Sequence, residues 1–100
     1  MSDTNYISCM VKIVEKPVQK VLKGNVAATT FRAQLPQIRN NRILNLIFWG
    51  NLAHDITNYY QLNDYIMIEG YLSSSNRSKK QASPKLYITV TKLYAFKTSL

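Results

Sequence analysis

Ile43-Leu44-Asn45-Leu46-Ile47-Phe48-Trp49-Gly50 runs directly into Asn51-Leu52-Ala53-His54-Asp55-Ile56-Thr57-Asn58-Tyr59-Tyr60, and Asp64-Tyr65-Ile66-Met67-Ile68-Glu69-Gly70-Tyr71-Leu72 follows shortly after. In the first run Leu44, Leu46 and Phe48 alternate with Ile43, Asn45, Ile47 and Trp49. One face is wholly apolar, while the other carries an amide and the chain's single tryptophan, which describes a strand with an inside and an outside. In the middle run Leu52, Ile56 and Tyr59 or Tyr60 recur at helical spacing, Asn51 is placed to cap the helix, and Gly50 breaks the preceding strand. A helix of about three turns is not stable alone in water, so it must pack against the strands on either side.

The rest of the chain reads mostly as strand. Over residues 6–15, Ile7, Cys9, Val11 and Ile13 share one face, Pro17 ends or bends the run, and Leu22-Lys23-Gly24-Asn25 supplies a turn signal. Over residues 27–35, Thr29, Phe31, Ala33 and Leu35 face in while Thr30, Arg32 and Gln34 face out, until Pro36 stops the strand and a polar, basic connection over 37–41 follows. After the helix Ile66, Ile68 and Leu72 point in, and Tyr65, Met67, Glu69 and Tyr71 point out. Residues 73–84 are too polar to bury and read as a loop. The last strand, residues 85–96, puts Leu86, Ile88 and Val90 inside and Tyr87, Thr89 and Thr91 outside; its alternation changes phase near Lys92, which predicts a bulge or bend.

Length and charge bound the function. One hundred residues, 46% of them apolar, are enough for one small domain over 1–100 with a single core. Thirteen Lys and Arg against five Asp and Glu give a net charge of +8, which favours a polyanionic partner, nucleic acid ahead of an anionic membrane surface. No apolar run is long enough to span a membrane, and the opening Met1-Ser2-Asp3-Thr4-Asn5-Tyr6 has neither the character of a signal peptide nor that of a transit peptide. The protein is therefore expected to remain where it is made, not to be secreted. The single cysteine, Cys9, reads as a small core residue in a reducing compartment. Abundant Asn, Ile, Lys and Tyr hint at an AT-rich coding genome such as an organelle's.

Five strands with one helix between the third and fourth is the element order of the OB-fold, an all-β Greek-key barrel that binds ligand across strands 2 and 3 and the flanking loops. An SH3-like barrel has no such helix at that point, and a ferredoxin-like fold needs two long helices.

The same residues carry a resemblance. Phe48-Trp49-Gly50-Asn51-Leu52-Ala53, followed by Tyr65-Ile66-Met67-Ile68-Glu69-Gly70-Tyr71-Leu72, resembles the bacterial single-stranded-DNA-binding protein family, with its aromatic-Gly-x-Leu-Ala helix start and its Ile-Glu-Gly-x-Leu strand. The short cyanobacterial and plastid form is most similar, since Leu35-Pro36-Gln37-Ile38-Arg39 matches its Leu-Pro-x-Ile-Arg ahead of a strand ending Trp-Gly-Asn-Leu-Ala. The resemblance implies an OB-fold, a homodimer or homotetramer, a plastid or a cyanobacterium-like cytoplasm, and a role in DNA replication or maintenance. It also implies that Trp49, immediately before the helix-initiating glycine, stacks on a base. Two further stacking positions of the family correspond roughly to Ile43 and Arg77, neither aromatic; each lost stack removes about 1–3 kcal/mol. The family's acidic, Phe-tipped tail has no counterpart in the closing Phe96-Lys97-Thr98-Ser99-Leu100, so recruitment of other proteins through such a tail is not expected.

The candidate nucleic-acid-binding residues are Trp49, Arg32, Gln34, Asn45, Arg39, Arg42, Arg77, Lys79 and Lys80. Each has a plainer reading: Trp49 as a packing residue, Arg32 and Gln34 as solubilising, and the Arg77, Lys79 and Lys80 loop as a solvated turn. Outward Tyr65, Tyr71 and Tyr87 either stack on bases or form a protein interface, and the interface is favoured because aromatics concentrate there. His54 and Asp55 are helix neighbours that do not face each other, so they read as a solvated pair. With one histidine, no Cys-x-x-Cys and no phosphate-cradling glycine loop, the chain offers no enzymatic centre, no metal site and no cofactor site. The leading expectation is a non-enzymatic single-stranded DNA-binding module. The alternatives are an oligomeric, primosome-like protein-interaction subunit with weak or no nucleic-acid binding, and an RNA-binding OB module, because nothing in the sequence reads the 2′-hydroxyl.

Overall fold

Alternation in sequence becomes alternation in burial along the long strands, interrupted on the third where Ala27, Ala28 and Thr29 are buried in succession. The computed structural model describes residues 5–36, 42–75 and 85–95, in which the chain runs β1 (Asn5–Ile13), β2 (Val18–Leu22), β3 (Val26–Leu35), β4 (Arg42–Trp49), α1 (Asn51–Tyr59), β5 (Tyr65–Ser75) and β6 (Lys85–Ala95). Val11, Ile13, Phe31, Ala33, Leu44, Leu46, Phe48, Ile66, Ile68, Ile88 and Val90 are buried in one core, with Ala53 and Ile56 of α1 closing it. Phe31 and Phe48 stack at its centre, ring centroids 5.4 Å apart. Full burial of a side chain such as Phe48 contributes about 1.5–3 kcal/mol.

The strands form one sheet in the order β1-β5-β6-β4-β3-β2, and β1 returns to pair with β3 through Lys12↔Gln34 and Ile13↔Ala33. That pairing closes a barrel of β1, β5, β6, β4 and β3, with β4 and β6 parallel and the other neighbours antiparallel. The barrel is the expected five-stranded OB-fold, its helix lying between the third and fourth barrel strands. Residues 14–17 bend the chain at the end of β1, and β2 then extends as a hairpin arm on β3, turning through Lys23-Gly24-Asn25. The arm was not anticipated as a strand, because it is held by pairing to β3 more than by burial. β5 also runs on to Ser75, past the expected loop start at 73.

Two local features differ from or sharpen the sequence reading. Gly50, not Asn51, occupies the N-cap; its φ of 62° and ψ of −130° suit glycine alone, and no side chain caps the helix. Its N–H donates to Ala27 O at 2.9 Å and its carbonyl accepts from Ala53 and His54, so the backbone of one residue ties β3, β4 and α1 together. The expected phase change in β6 falls at Thr91: Glu69 pairs with Lys92 and Gly70 with Val90, which leaves Thr91 as the extra residue of a bulge.

Beneath the helix, buried Thr29 donates its hydroxyl to Ala53 O at 2.9 Å and lies 3.1 Å from the Thr57 hydroxyl, which also donates to Ala53 O. Two hydroxyl protons are thus shared over three contacts, satisfying the buried polar groups at the barrel end. Cys9 is half-buried against the core, and burial pushes its thiol above its ordinary 9.0.

Candidate nucleic-acid interface

The outward residues of β3 and β4 line up in rungs, because directly paired residues share a face of the sheet. The first rung is Lys20–Ala28–Trp49, the next Val18–Thr30–Ile47–Thr89, and the third Arg32–Asn45–Tyr87. Gln34 follows, paired with Lys12 on one side and Ile43 on the other.

Trp49 ends β4 and is 43% exposed, its position fixed by the ladder bond to Ala28 before it and by the Gly50 turn after it. Asn45 is half-buried, and its Nδ2 donates one hydrogen to Leu86 O at 3.3 Å, so its second N–H and its side-chain carbonyl make no hydrogen bond among the described residues. Arg32 is not a free cation: its Nε lies 3.4 Å from Glu15 Oε2, while Glu15 Oε1 accepts the Arg32 backbone N–H at 2.8 Å. Both side chains are well exposed, 61% for Arg32 and 43% for Glu15, so the ion pair itself is worth only about 0–1 kcal/mol.

Arg32, Gln34 and Asn45 therefore come together, and Trp49 lies on the same face two rungs away, about 13 Å along β3 at the usual rise per residue. Arg42 does not join them. It has the parity of Leu44, Leu46 and Phe48, and sits opposite Leu35 at the far end of β4, about 23 Å along the strand from Trp49. Arg39, Arg77, Lys79 and Lys80 lie outside the described residues. Lys20, in the Trp49 rung, and Lys12, paired with Gln34, are cations that sequence reasoning missed; for Lys20 the signal was Val18-Gln19-Lys20-Val21-Leu22 ahead of the turn, once that stretch is accepted as a strand.

Further around the barrel, Tyr6 sits edge-on at 5.0 Å to Tyr71, itself paired with Thr89 of the second rung, and the Tyr6 hydroxyl meets Glu69 Oε1 at 3.0 Å and Thr91 Oγ1 at 2.9 Å. Tyr94 donates to the other Glu69 oxygen at 3.4 Å, and Lys12 Nζ stands 5.9 Å from the Tyr65 ring centroid. Tyr65 and Tyr71 are exposed as expected, whereas Tyr87 is half-buried beside Asn45. His54 and Asp55 are both exposed on α1. A separate depression of about 490 Å³ between the 14–17 bend and the far end of α1 is lined by Lys16, Pro17, Thr57, Tyr60 and Leu62 among others. Among the described residues no three His, Cys, Asp or Glu side chains gather in a metal-holding group, and no helix is long and apolar enough to cross a membrane.

A face of the barrel with one exposed indole, amide groups and cations suits a partner with π-faces and negative charge. Comparison with known proteins agrees in kind. No family model matches the chain. It is 41% identical over 73 residues to the "Putative single-stranded DNA-binding protein ycf41" of Trieres chinensis, a match covering 69% of this chain and 65% of that protein, so just under two thirds of the relative's length is spanned. Among solved structures it resembles the SSB domain of a Synechococcus sp. protein (TM-score 0.76, 22% identity, 94% of this chain and 98% of that one). The second single-stranded DNA-binding protein of Mycobacterium smegmatis (TM-score 0.76, 19% identity, 93% and 89%) is similar as well. So is the small single-stranded DNA-binding protein of Streptomyces coelicolor (TM-score 0.79, 13% identity, 96% and 96%). Those likenesses establish the fold, and the Trp49-Gly50-Asn51-Leu52-Ala53 and Ile68-Glu69-Gly70-Tyr71-Leu72 motifs together with the ycf41 relative make the chain similar to the short cyanobacterial and plastid form of the bacterial-type single-stranded-DNA-binding protein family.

Proposed function

We propose that this chain is a non-enzymatic single-stranded DNA-binding protein that stacks a base on Trp49 and contacts the backbone with cations of the same face. The observation that carries the reading is the exposed indole at the end of β4, with Lys20 in its own rung and Asn45 and Arg32 two rungs away. Stacking supplies sequence-tolerant attraction and requires base faces that a duplex hides. The net charge of +8, to which Arg39, Arg77, Lys79 and Lys80 contribute, supports a polyanionic partner.

A role in DNA replication or maintenance, in a plastid or a cyanobacterium-like cell, belongs to the same reading; the ycf41 and Synechococcus likenesses support it. So does self-association as a homodimer or homotetramer, supported by the exposed tyrosines Tyr6, Tyr71 and Tyr94 on β1, β5 and β6, residues of a kind that protein interfaces favour.

Competition binding to single-stranded DNA, duplex DNA and RNA at two salt concentrations tests the reading. The expected result is a preference for single-stranded DNA over duplex at moderate salt. Equal or tighter duplex binding reduces the activity to charge attraction, tighter RNA binding transfers it to RNA, and no binding at all leaves the protein-interaction role in its place.

A further inference from the structure

Arg32 stands on the face assigned to the nucleic acid, yet a carboxylate already occupies it. The 14–17 bend carries Glu15 from the end of β1 over to β3, where it takes the backbone N–H of Arg32 with one oxygen and the guanidinium with the other. Of the described acidic residues, Glu69 is held by Tyr6 of β1 and Tyr94 of β6, Asp55 is exposed on α1 and Asp64 accepts the Gln61 N–H beyond the helix. Glu15 alone among them contacts a residue of the Arg32, Asn45 and Trp49 face.

We propose that Glu15 is a built-in competitor for phosphate, a residue that tempers how strongly this face holds a single strand. The proposal rests on the single-stranded DNA reading above. In the free protein Glu15 fixes the guanidinium against the barrel, close to the position from which it addresses a strand crossing β3 and β4. A phosphate must displace that carboxylate or share the guanidinium with it, and in either case it approaches an existing negative charge. Because the pair is exposed, opening it is cheap, so Glu15 weakens the contact without abolishing it. Its second role is separable in chemistry: the amide oxygen of a glutamine can still accept the Arg32 N–H, while the charge that holds the guanidinium is gone.

The test compares four proteins on one fluorescently labelled oligothymidylate: the unmodified chain, Glu15→Gln, Arg32→Gln and the double variant, with Asp55→Asn as a control of equal charge change. Glu15→Gln is expected to bind about two- to fivefold more tightly at low salt, the range corresponding to a weak exposed ion pair. Its log-log salt slope is expected to steepen by about 0.7, one additional phosphate neutralised on a single strand, so the two curves converge as salt rises. The gain is expected to vanish in the Arg32→Gln background and to be absent or smaller in Asp55→Asn. If Glu15→Gln binds equally or more weakly while melting like the unmodified protein, or if its gain survives loss of Arg32, the competitor role is overturned while single-strand binding stands. Failure of the unmodified protein to bind overturns both. A Glu15→Gln protein that melts early and binds weakly is likewise contrary to the proposal, provided Glu15→Asp, which keeps the charge, restores neither property.

Discussion

Trp49 and Ala28 face one another across the β3–β4 ladder, and Ala28 is only 6% exposed although its parity on β3 is that of the outward Thr30 and Arg32. An outward residue is buried in this way when its neighbours lean over it. Lys20 pairs with Ala28 from β2 and Trp49 from β4, so a small residue separates a cation from an indole that is 43% exposed. A base stacked there would have Lys20 within the same rung for its phosphate.

The geometry of that platform depends on the residue after it. Gly50→Ala introduces no overlap, because nothing lies within 4 Å of the added carbon, but it forces a φ of 62° with ψ of −130° on a residue with a Cβ. A loss of about 1–3 kcal/mol in stability is expected, measured by denaturant titration, with weaker single-strand binding as Trp49 and α1 shift together. Unchanged stability would mean that the turn relaxes freely and does not set the position of Trp49.

Gly70→Ala acts by the opposite cause. Gly70 has an ordinary strand conformation, but a Cβ there would run into the backbone carbonyl of Thr89 next to the Thr91 bulge. Backbone cannot yield as a side-chain tip does, so the β5–β6 ladder must separate, and a loss of about 3 kcal/mol or more is expected, with much of the protein insoluble. A soluble Gly70→Ala protein melting within a few degrees of the unmodified one would contradict the close approach of these strands.

Burial of the Cys9 thiol gives a pH dependence with a definite sign. Its folded pKa is raised above the ordinary 9.0, so the neutral thiol is favoured in the folded state and the thiolate in the unfolded one. This contribution is fully present below about pH 9, shrinks as the unfolded thiol ionises and is lost as pH rises through the raised folded value. Cys9→Ala is expected to flatten the decline of stability in mildly alkaline solution, read from thermal melts at a series of pH values. The same decline in both proteins would place its origin elsewhere.

Much of the barrel was legible because the core is built from period-two alternation, which Leu44, Leu46 and Phe48 on β4 and Ile66 and Ile68 on β5 display without interruption. Trp49 could be found for the same reason, as the residue that breaks the outer face of β4. β2 was missed because Val18, Val21 and Leu22 stay exposed, and pairing geometry leaves little trace in hydrophobic pattern. Arg32 looked like a free cation because Glu15 is 17 residues away and meets it only once the chain bends at 14–17. Arg42 was misplaced for a simpler reason: alternation with Leu44 already put it on the wrong face. Asn45 was read as a nucleic-acid-binding residue, and its donor is half committed to Leu86, a partner that the parallel β4–β6 pairing brings near.

The central claim is that the single tryptophan is a base-stacking platform, and titration of the unmodified protein and Trp49→Ala with one oligothymidylate tests it most directly. Leu44, Leu46 and Phe48 carry the core on the other side of β4, so the variant is expected to melt close to the unmodified protein. The account predicts quenching of Trp49 fluorescence as the oligonucleotide saturates, and a loss of about 1–3 kcal/mol in single-strand affinity on truncation, roughly five- to a hundredfold. Unquenched fluorescence together with normal binding by Trp49→Ala, and a variant that instead unfolds or dissociates, would make Trp49 a packing residue and contradict the account.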